Sequence, residues 1–271
     1  MASTMKAKAS ISSARALQRV RANLLGVGID AVDMGEAVAR VLDGVRDGAR
    51  GYICVTGVHG IMEASRDPQL RAILNESFMT TPDGMPTVWV GRAQGLAISR
   101  VYGPDLMLAV CAAGTRAGLR HFFYGGKDGV AAALRDCLTA RIPGLTVVGT
   151  YTPPFRALNA YEEEQLNAML EAARPDIVWV GLSTPKQERF MAAYYRQLSC
   201  SLMIGVGAAF DMHTGRTRQA PSWMQRSGLE WLFRLSTEPR RLSKRYMLNN
   251  PVFLFRIASQ WLQPARYPAP R

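Results

Sequence analysis

The chain has 271 residues and 48% of them are hydrophobic, which is enough to bury either one large core or a core plus a small appendage. Its four cysteines lie far apart and no histidine stands at metal-ligand spacing, so neither a disulfide framework nor a zinc site is indicated, and we expect a reducing compartment. The basic amino terminus lacks the apolar segment of a signal peptide, and no apolar run reaches the roughly 18 residues that a membrane-spanning helix needs. We therefore expect a protein that is not secreted and that contacts membranes only peripherally.

The net charge of +12 is concentrated at the two ends of the chain. Residues 1–23 carry five Lys or Arg and no acid, and residues 214–271 carry eleven Lys or Arg against Glu230 and Glu238. The residues between these ends carry a net charge of −2. Basicity clustered in this way predicts a polyanionic partner, namely nucleic acid, anionic lipid or a phosphorylated substrate.

Short apolar runs alternate with segments of helical spacing along most of the chain. The runs predict strands near residues 24–29, 52–56, 78–81, 121–124, 145–148, 176–181 and 202–206. The segments between them predict helices near residues 36–41, 104–115, 129–141, 160–173 and 185–198. This alternation predicts an α/β fold, a doubly wound Rossmann-like parallel sheet over residues 24–213, preceded by a basic extension over residues 1–23.

Several predicted strands end in glycine or a small polar residue just before the next helix. These ends are Thr56-Gly57, Pro82-Asp83-Gly84, Gly125-Gly126, 181–185 and 205–207. In an open parallel sheet such turns surround the ligand crevice, and the following helix amino termini offer free N–H groups to anions. We expect the site there, with Gly125 and Gly126 in contact with substrate.

Residues 214–271 differ in character from the rest and predict a separate, basic, amphipathic helical appendage. Its arginines are interleaved with Trp223, Trp231, Phe233 and Tyr246; they include Arg216, Arg218, Arg226, Arg234, Arg240, Arg241 and Arg245. Arginine binds phosphate bidentately and tryptophan favours the bilayer interface, so this mixture predicts an anionic membrane surface or a lipid diphosphate as partner. A solvated basic helix is the alternative, and nucleic acid could use the same residues.

Asp83 is the first candidate for chemistry, because it follows a predicted strand between Pro82 and Gly84. A carboxylate at that position could take a proton from an acceptor hydroxyl. The alternative is an ordinary turn in which Asp83 caps a helix that begins near Pro86.

Two later motifs also follow predicted strands. The segment 181–188 places Pro185 near a helix start and Gln187 in its first turn, which favours recognition of phosphate or a polar base, although a well-capped surface helix has the same pattern. The segment 205–211 lacks the third glycine of a dinucleotide-binding fingerprint, which disfavours an NAD enzyme. Asp211 and His213 make only a weak metal site, so we expect neither a metal nor a cofactor.

Ordered motifs from about Leu24 to Tyr246 resemble the WecG/TagA/CpsF family of glycosyltransferases, which includes N-acetylmannosaminyltransferases of enterobacterial common antigen and wall teichoic acid synthesis. The matching stretches are Pro82-Asp83-Gly84, 100–107, 124–127, 174–176, 184–188, 205–211, Gly215-Arg216, Ala220-Pro221 and 228–235. The resemblance implies inverting transfer, without a required metal, from a UDP-sugar to an undecaprenyl-diphosphate-linked saccharide. It also implies a location at the cytoplasmic, inner face of the bacterial cytoplasmic membrane.

By position, the resemblance implies that Asp83 is the general base and that Thr56 and Arg100 line the active site. It implies that Gln187 and Asp211 bind the donor. The basic tail is similar to the family's membrane-targeting appendage, whose arginines can complete the active site, here Arg216, Arg234 and Arg241. Self-association is a further property of the family, although nothing in this sequence fixes the oligomeric state.

The sequence departs from the family pattern after Thr56. Many members carry Asn two residues later, where this chain has Val58 followed by His59. We expect both residues to face the sugar or the acceptor, so the donor is a hexose or an N-acetylhexosamine that need not be N-acetylmannosamine. The alternative from another class of proteins is a basic nucleic-acid-binding protein with a degenerate nucleotide fold.

Overall fold

The computed structural model describes residues 19–269, apart from the side chains of residues 241, 244 and 245. It begins with two short strands, followed by six that form the main sheet. The strands are β1 (Arg21–Leu24), β2 (Val27–Asp30), β3 (Gly51–Thr56), β4 (Met79–Pro82), β5 (Arg120–Gly125), β6 (Thr146–Tyr151), β7 (Ile177–Gly181) and β8 (Leu202–Gly205). The main sheet is parallel throughout, in the order β4-β3-β8-β7-β5-β6, which confirms the predicted Rossmann-like α/β fold.

The helices of the described residues cover both faces of this sheet. They are α1 (Met34–Arg46), α2 (Val58–Ala64), α3 (Pro68–Glu76), α4 (Met85–Ala93), α5 (Gly103–Gly114), α6 (Val130–Arg141), α7 (Ala160–Ala173), α8 (Lys186–Tyr194), α9 (Ala209–His213), α10 (Ser222–Arg226), α11 (Glu230–Thr237) and α12 (Pro239–Leu262). Local sequence explains several starts. Asp33 caps α1 by accepting the Glu36 N–H at 2.8 Å, and Asn159 with Glu162 forms a capping box at α7.

The prediction of one sheet strand near residues 24–29 is wrong. The chain reverses at Leu25 and Gly26, whose φ angles of 57° and 85° both lie in the left-handed region. Positive φ at two successive residues is typical of a tight hairpin turn, so β1 and β2 pair with each other as a separate antiparallel ribbon. The run is apolar because the hairpin packs onto the main domain, where Leu24 and Ile29 are fully buried.

Side chains along each central strand alternate between two cores. On β3, Tyr52 and Cys54 point to one cluster, and Ile53 and Val55 point to the other. Alternation of this kind follows from the two-residue period of a strand, and both faces are apolar because helices cover both. Both faces of the sheet are therefore covered, and its carboxyl edge is the part open to ligands.

Helix α12 packs against the hairpin and α2. Phe253 is 2% exposed and belongs to the same core cluster as Leu24. The Gln260 amide accepts the Leu25 N–H at 2.8 Å, and Arg256 donates to the Ser65 hydroxyl at 2.7 Å. The predicted basic helical segment at the carboxyl end is thus present, while the domain boundaries themselves stay a prediction. Within residues 19–269, no helix combines the length and apolar character needed to cross a bilayer.

Candidate active site

A cleft of about 170 Å³ opens at the carboxyl ends of β3 and β4. Its floor comes from the strand ends and the first turn of α2, and its roof comes from α10, α11 and α12. The structure brings six of the predicted site residues into this lining, namely Thr56, Val58, His59, Asp83, Arg100 and Arg234. A parallel sheet is expected to assemble its ligand site at this edge.

Asp83 lies in the turn between β4 and α4, half-buried at the wall of the cleft. Its backbone N–H donates to the Thr56 carbonyl at 3.0 Å, so the end of β3 holds this turn in place. Gly57 makes the approach possible, because a Cβ at that residue would lie 2.6 Å from the Asp83 carbonyl oxygen. The N-cap of α4 is Gly84, with φ of 100°, so the alternative in which Asp83 caps this helix is wrong.

Three polar groups in the cleft lining are buried and lack hydrogen-bond partners among the described residues. They are the Thr56 hydroxyl, Arg100 Nε and Arg234 Nε. A buried donor without a partner costs about 1 to 3 kcal/mol, and arginine cannot lose its charge to avoid that cost. The cluster is therefore suited to a polar, anionic ligand that supplies the missing acceptors.

Arg100 is held by residues of the carboxyl-terminal segment. Its Nη1 donates to Gln225 Oε1 at 2.8 Å, and its Nη2 forms an ion pair with Glu230. The guanidinium carbon also lies 4.0 Å from the centroid of the Tyr102 ring, within the range of a cation–π contact. Burial, followed by the charge of Glu230, raises the pKa of Tyr102, whose hydroxyl donates to Met212 Sδ at 3.1 Å.

Val58 and His59 form the first turn of α2 beside the cleft. His59 Nδ1 lies 3.4 Å from Asn249 Nδ2 and 3.9 Å from a Glu63 carboxylate oxygen. Asn250 lines the same side of the cleft as Asn249. At the departure from the family pattern, His59 thus lies next to the amide of Asn249 on α12.

The other predicted binding residues do not line this cleft. They lie along the same sheet edge, over β8, β7 and β5, and comprise Gln187, Asp211, Gly125, Gly126, Pro185 and Arg216. Gln187 is 3% exposed, and it accepts the Gly207 N–H at 3.1 Å and donates to Glu188 at 3.0 Å. Arg216 is exposed, and the side chain of Arg241 lies outside the described residues. Donor binding by Gln187 and Asp211, and substrate binding by the others, stay predictions.

At Gly125 and Gly126 the backbone adopts a conformation that favours glycine, with φ of 130° and 76°. A Cβ on Gly125 would lie 2.6 Å from the Gly181 carbonyl oxygen, so the turns after β5 and β7 are in close contact. Pro185 follows a cis peptide bond after Thr184, which itself lines the cleft. The turns after β5 and β7 and the cleft are therefore adjacent parts of one sheet edge.

No group of three or more His, Cys, Asp or Glu within residues 19–269 has the geometry to hold a metal. At the predicted weak site, His213 Nε2 donates to the Pro104 carbonyl at 3.0 Å, and burial lowers the pKa of His213. Asp211 is half-buried in α9. The His213 imidazole is thus already bonded to the start of α5.

Comparison with known proteins supplies the family. The model of the "Glycosyl transferase WecG/TagA/CpsF family" matches residues 22–267. The chain belongs to this family. The resemblance drawn from the motifs is thereby confirmed, and the match extends through α12.

Two curated relatives of this family member carry the name N-acetylglucosaminyldiphosphoundecaprenol N-acetyl-beta-D-mannosaminyltransferase. The protein from Bacillus spizizenii is 30% identical over 210 residues, which cover 77% of this chain and 79% of the relative. The protein from Bacillus subtilis strain 168 is 28% identical over 198 residues, which cover 73% of this chain and 75% of the relative. Membership makes the chain a glycosyltransferase, and no observation favours the nucleic-acid-binding alternative.

Sequence reasoning missed four cleft residues that belong to the carboxyl-terminal segment, namely Gln225, Glu230, Asn249 and Asn250. Two others, Trp231 and Tyr246, were expected to contact a membrane surface or a lipid diphosphate, and they line the cleft. Glu230 stood inside a motif of the family resemblance, 228–235, and was noted there only as a matching residue. Its signal was its charge, because it is one of only two acids among the eleven Lys or Arg of residues 214–271, and an acid in such a segment is a reason to look for a specific cationic partner.

Proposed function

We propose that this chain is an inverting glycosyltransferase that moves a hexose or N-acetylhexosamine from a UDP-sugar onto a polyprenyl-diphosphate-linked saccharide. The observation that carries the proposal is the convergence of the Asp83 carboxyl with the buried donors of Thr56, Arg100 and Arg234 in one cleft. A base beside unsatisfied cationic donors suits displacement of a diphosphate from a sugar carbon. The names of the two relatives, with an N-acetylglucosaminyl-diphosphoundecaprenol and an N-acetylmannosaminyl group, support this substrate class.

In the proposed reaction, the Asp83 carboxylate takes the proton of the acceptor hydroxyl. The acceptor oxygen forms a bond to the anomeric carbon from the face opposite UDP, and the bond to the phosphate oxygen breaks with its electron pair going to UDP. Arg100 and Arg234 stabilise the negative charge that gathers on the leaving diphosphate. No metal or cofactor takes part in these steps.

The sugar is recognised, in this proposal, where α2 meets α12. His59, Asn249 and Asn250 present imidazole and amide groups to the cleft, and Val58 adds an apolar wall. Imidazole and amide groups can both donate to and accept from sugar hydroxyls. Assays with a panel of UDP-hexoses and UDP-N-acetylhexosamines would identify the donor.

The exposed face of α12 supports a membrane as the source of the acceptor. Six apolar side chains, each more than half exposed, recur in pairs seven residues apart and are Met247, Leu248, Leu254, Phe255, Trp261 and Leu262. Spacing of seven places them on one side of the helix, opposite buried Phe253 and Ile257. Because residues 214–271 carry a net charge of +9, we propose that this apolar stripe lies in an anionic, cytoplasmic membrane surface.

Replacing the base tests the proposed reaction directly. Purified full-length chain would be incubated with UDP-sugars and a short-chain prenyl-diphosphate N-acetylglucosamine, and transfer would be followed by chromatography. We expect Asp83→Asn to lower kcat by about 100-fold or more, since general base catalysis contributes roughly 10² to 10⁴. The substitution keeps the side-chain volume, so its thermal unfolding should match that of the parent chain.

The matched control is Asp43→Asn, which changes an exposed carboxylate on α1 that pairs with Arg46. It should retain the parent kcat. Undiminished transfer by Asp83→Asn would remove Asp83 from the mechanism. Absence of transfer with every donor, together with salt-dependent binding of RNA or DNA, would favour the nucleic-acid-binding function instead.

A further inference from the structure

Arg100 lies in a segment that forms neither helix nor strand, three residues before α5 begins. Neighbouring backbone groups tie this segment down, since the Val101 N–H donates to the Pro82 carbonyl at 2.9 Å. The backbone contact does not fix the long side chain of Arg100, and fixing a free arginine side chain costs about 2 kcal/mol of rotamer entropy. Something beyond the local backbone must hold the guanidinium in the cleft.

The groups that hold it come from residues more than one hundred positions away in sequence. Gln225 accepts from Nη1 at 2.8 Å across 125 residues, and Glu230 accepts from Nη2 across 130 residues. Side chains of Arg100 and Glu230 are only 13% and 17% exposed, so this ion pair is screened far less than one at the surface. Both contacts are made by the segment that roofs the cleft.

Each of these two partners is itself fixed. Gln225 Nε2 donates to the Ala220 carbonyl at 2.8 Å, which orients the amide so that its oxygen points to Arg100. Glu230 lies in the first turn of α11, where the partial positive charge of the helix amino terminus favours a carboxylate. Arg100 is therefore hydrogen-bonded to two oriented acceptors, and its guanidinium lies over the Tyr102 ring.

These two hydrogen bonds leave other N–H groups of Arg100 available to a ligand. A guanidinium has five N–H groups, and the contacts to Gln225 and Glu230 use two of them. Arg100 Nε remains buried, in a residue that lines the cleft, without a hydrogen-bond partner among residues 19–269. The two acceptors thus fix the direction in which the remaining donors point.

We propose that Glu230, assisted by Gln225, is a positioning residue for Arg100, so that the leaving diphosphate meets a cationic donor that is already oriented. This inference rests on the proposed function, in which Arg100 stabilises the departing UDP. In this role Glu230 acts on transfer through Arg100 and not through a contact of its own with the substrate. A positioned donor of this kind is worth about 100-fold to 1000-fold in kcat.

A double-mutant cycle tests this dependence. The full-length chain, Arg100→Ala, Glu230→Ala and the double variant would be assayed with a UDP-sugar and a prenyl-diphosphate N-acetylglucosamine, with kcat and KM determined separately. We expect Arg100→Ala to lower kcat by about 100-fold and Glu230→Ala by about 10-fold, with little change in acceptor KM. The double variant should be no worse than Arg100→Ala, because Glu230 has nothing to position once Arg100 is gone.

Two further variants separate positioning from simple stability. Glu230→Gln keeps an acceptor of the same shape, so it should retain more activity than Glu230→Ala and carries the test if the alanine variant does not fold. Glu36→Ala removes a first-turn glutamate that pairs with Arg40 at 2.6 Å on α1, and it should keep the parent kcat. Losses that multiply in the double variant, or equal losses in kcat for Glu230→Ala and Glu36→Ala, would overturn the positioning role while leaving the proposed transfer intact. No transfer by the parent chain would overturn both.

Discussion

Gly57 shows how a residue without chemistry can define the site. Its missing Cβ allows the Asp83 carbonyl to approach the end of β3, where any side chain would meet a backbone oxygen at 2.6 Å. The φ angle of Gly57 is −107°, so the constraint is steric and has nothing to do with the backbone conformation. The sequence shows a glycine after a strand, but the atom that excludes a side chain belongs to Asp83, in the turn after β4, and only the three-dimensional structure brings the two together.

His121 gives a prediction at the same scale, for stability. It is fully buried, its Nδ1 accepts the Trp179 Nε1 proton at 3.0 Å, and burial lowers the pKa of His121 to about 4. Above pH of about 6.5 the imidazole is neutral in both the folded and the unfolded chain, whereas between about 6.5 and 4 only the unfolded chain binds the proton. The free energy of unfolding should therefore fall by about 3 kcal/mol as the pH drops through this window.

Urea unfolding of the parent chain and of His121→Gln at several pH values between 7 and 4 measures how much of this loss in the free energy of unfolding comes from His121. The variant lacks the titrating imidazole, so its free energy of unfolding should depend less steeply on pH than that of the parent. Identical pH dependence of the two chains would contradict the assignment of this loss to His121.

At the scale of elements, the sequence predicted the sheet well and the roof of the cleft poorly. Strands β3, β5, β7 and β8 carry apolar runs because both faces of the sheet are covered, and a run of that kind is a local signal. The prediction of one strand near residues 24–29 is wrong because the turn residue Leu25 is apolar and buried, so the apolar run gives no sign that the chain reverses there. The contacts of Gln225 and Glu230 with Arg100 span at least 125 residues, and no periodicity encodes such a pairing.

Helix α12 offers a matched pair of substitutions that separates its two faces. Phe253 is 2% exposed within the core cluster shared with the hairpin, and Phe255, two residues later, is 75% exposed. Phe253→Ala should lower the free energy of unfolding by about 3 to 5 kcal/mol through lost burial and a cavity. Phe255→Ala should change it by less than about 0.5 kcal/mol. Equal effects in urea unfolding would show that α12 does not pack as described.

For the whole molecule, the distribution of charge and apolar surface leads to a membrane-binding prediction. The parent chain should co-sediment with vesicles rich in phosphatidylglycerol. A triple variant with Leu254, Phe255 and Trp261 changed to alanine should bind at least 10-fold more weakly, because the proposed membrane contact places these exposed side chains in the interface. Binding should also weaken as salt is raised, since each Lys or Arg near an anionic surface contributes about 1 kcal/mol.

The control for that experiment is Phe155→Ala, which removes an aromatic side chain that is 88% exposed between β6 and α7. It should bind vesicles like the parent chain. Equal loss of binding in the control and the triple variant, or none in either, would show that α12 is not the contact surface. Deleting residues 214–271 would not separate membrane binding from folding, because Phe253 and Ile257 would leave the core together with the apolar stripe.

The core that α12 shares with the hairpin also fixes the orientation of this helix relative to the sheet. Opposite sides of the same helix carry the buried Phe253 and the exposed Leu254 and Phe255, and its middle turns contribute Tyr246, Asn249 and Asn250 to the cleft. If the outer side of α12 lies in a bilayer, the orientation of this helix would thereby set the tilt of the entire sheet relative to the membrane plane. Because the same helix lines the cleft, it would also fix the height of the cleft, and of Asp83 within it, relative to the lipid headgroups.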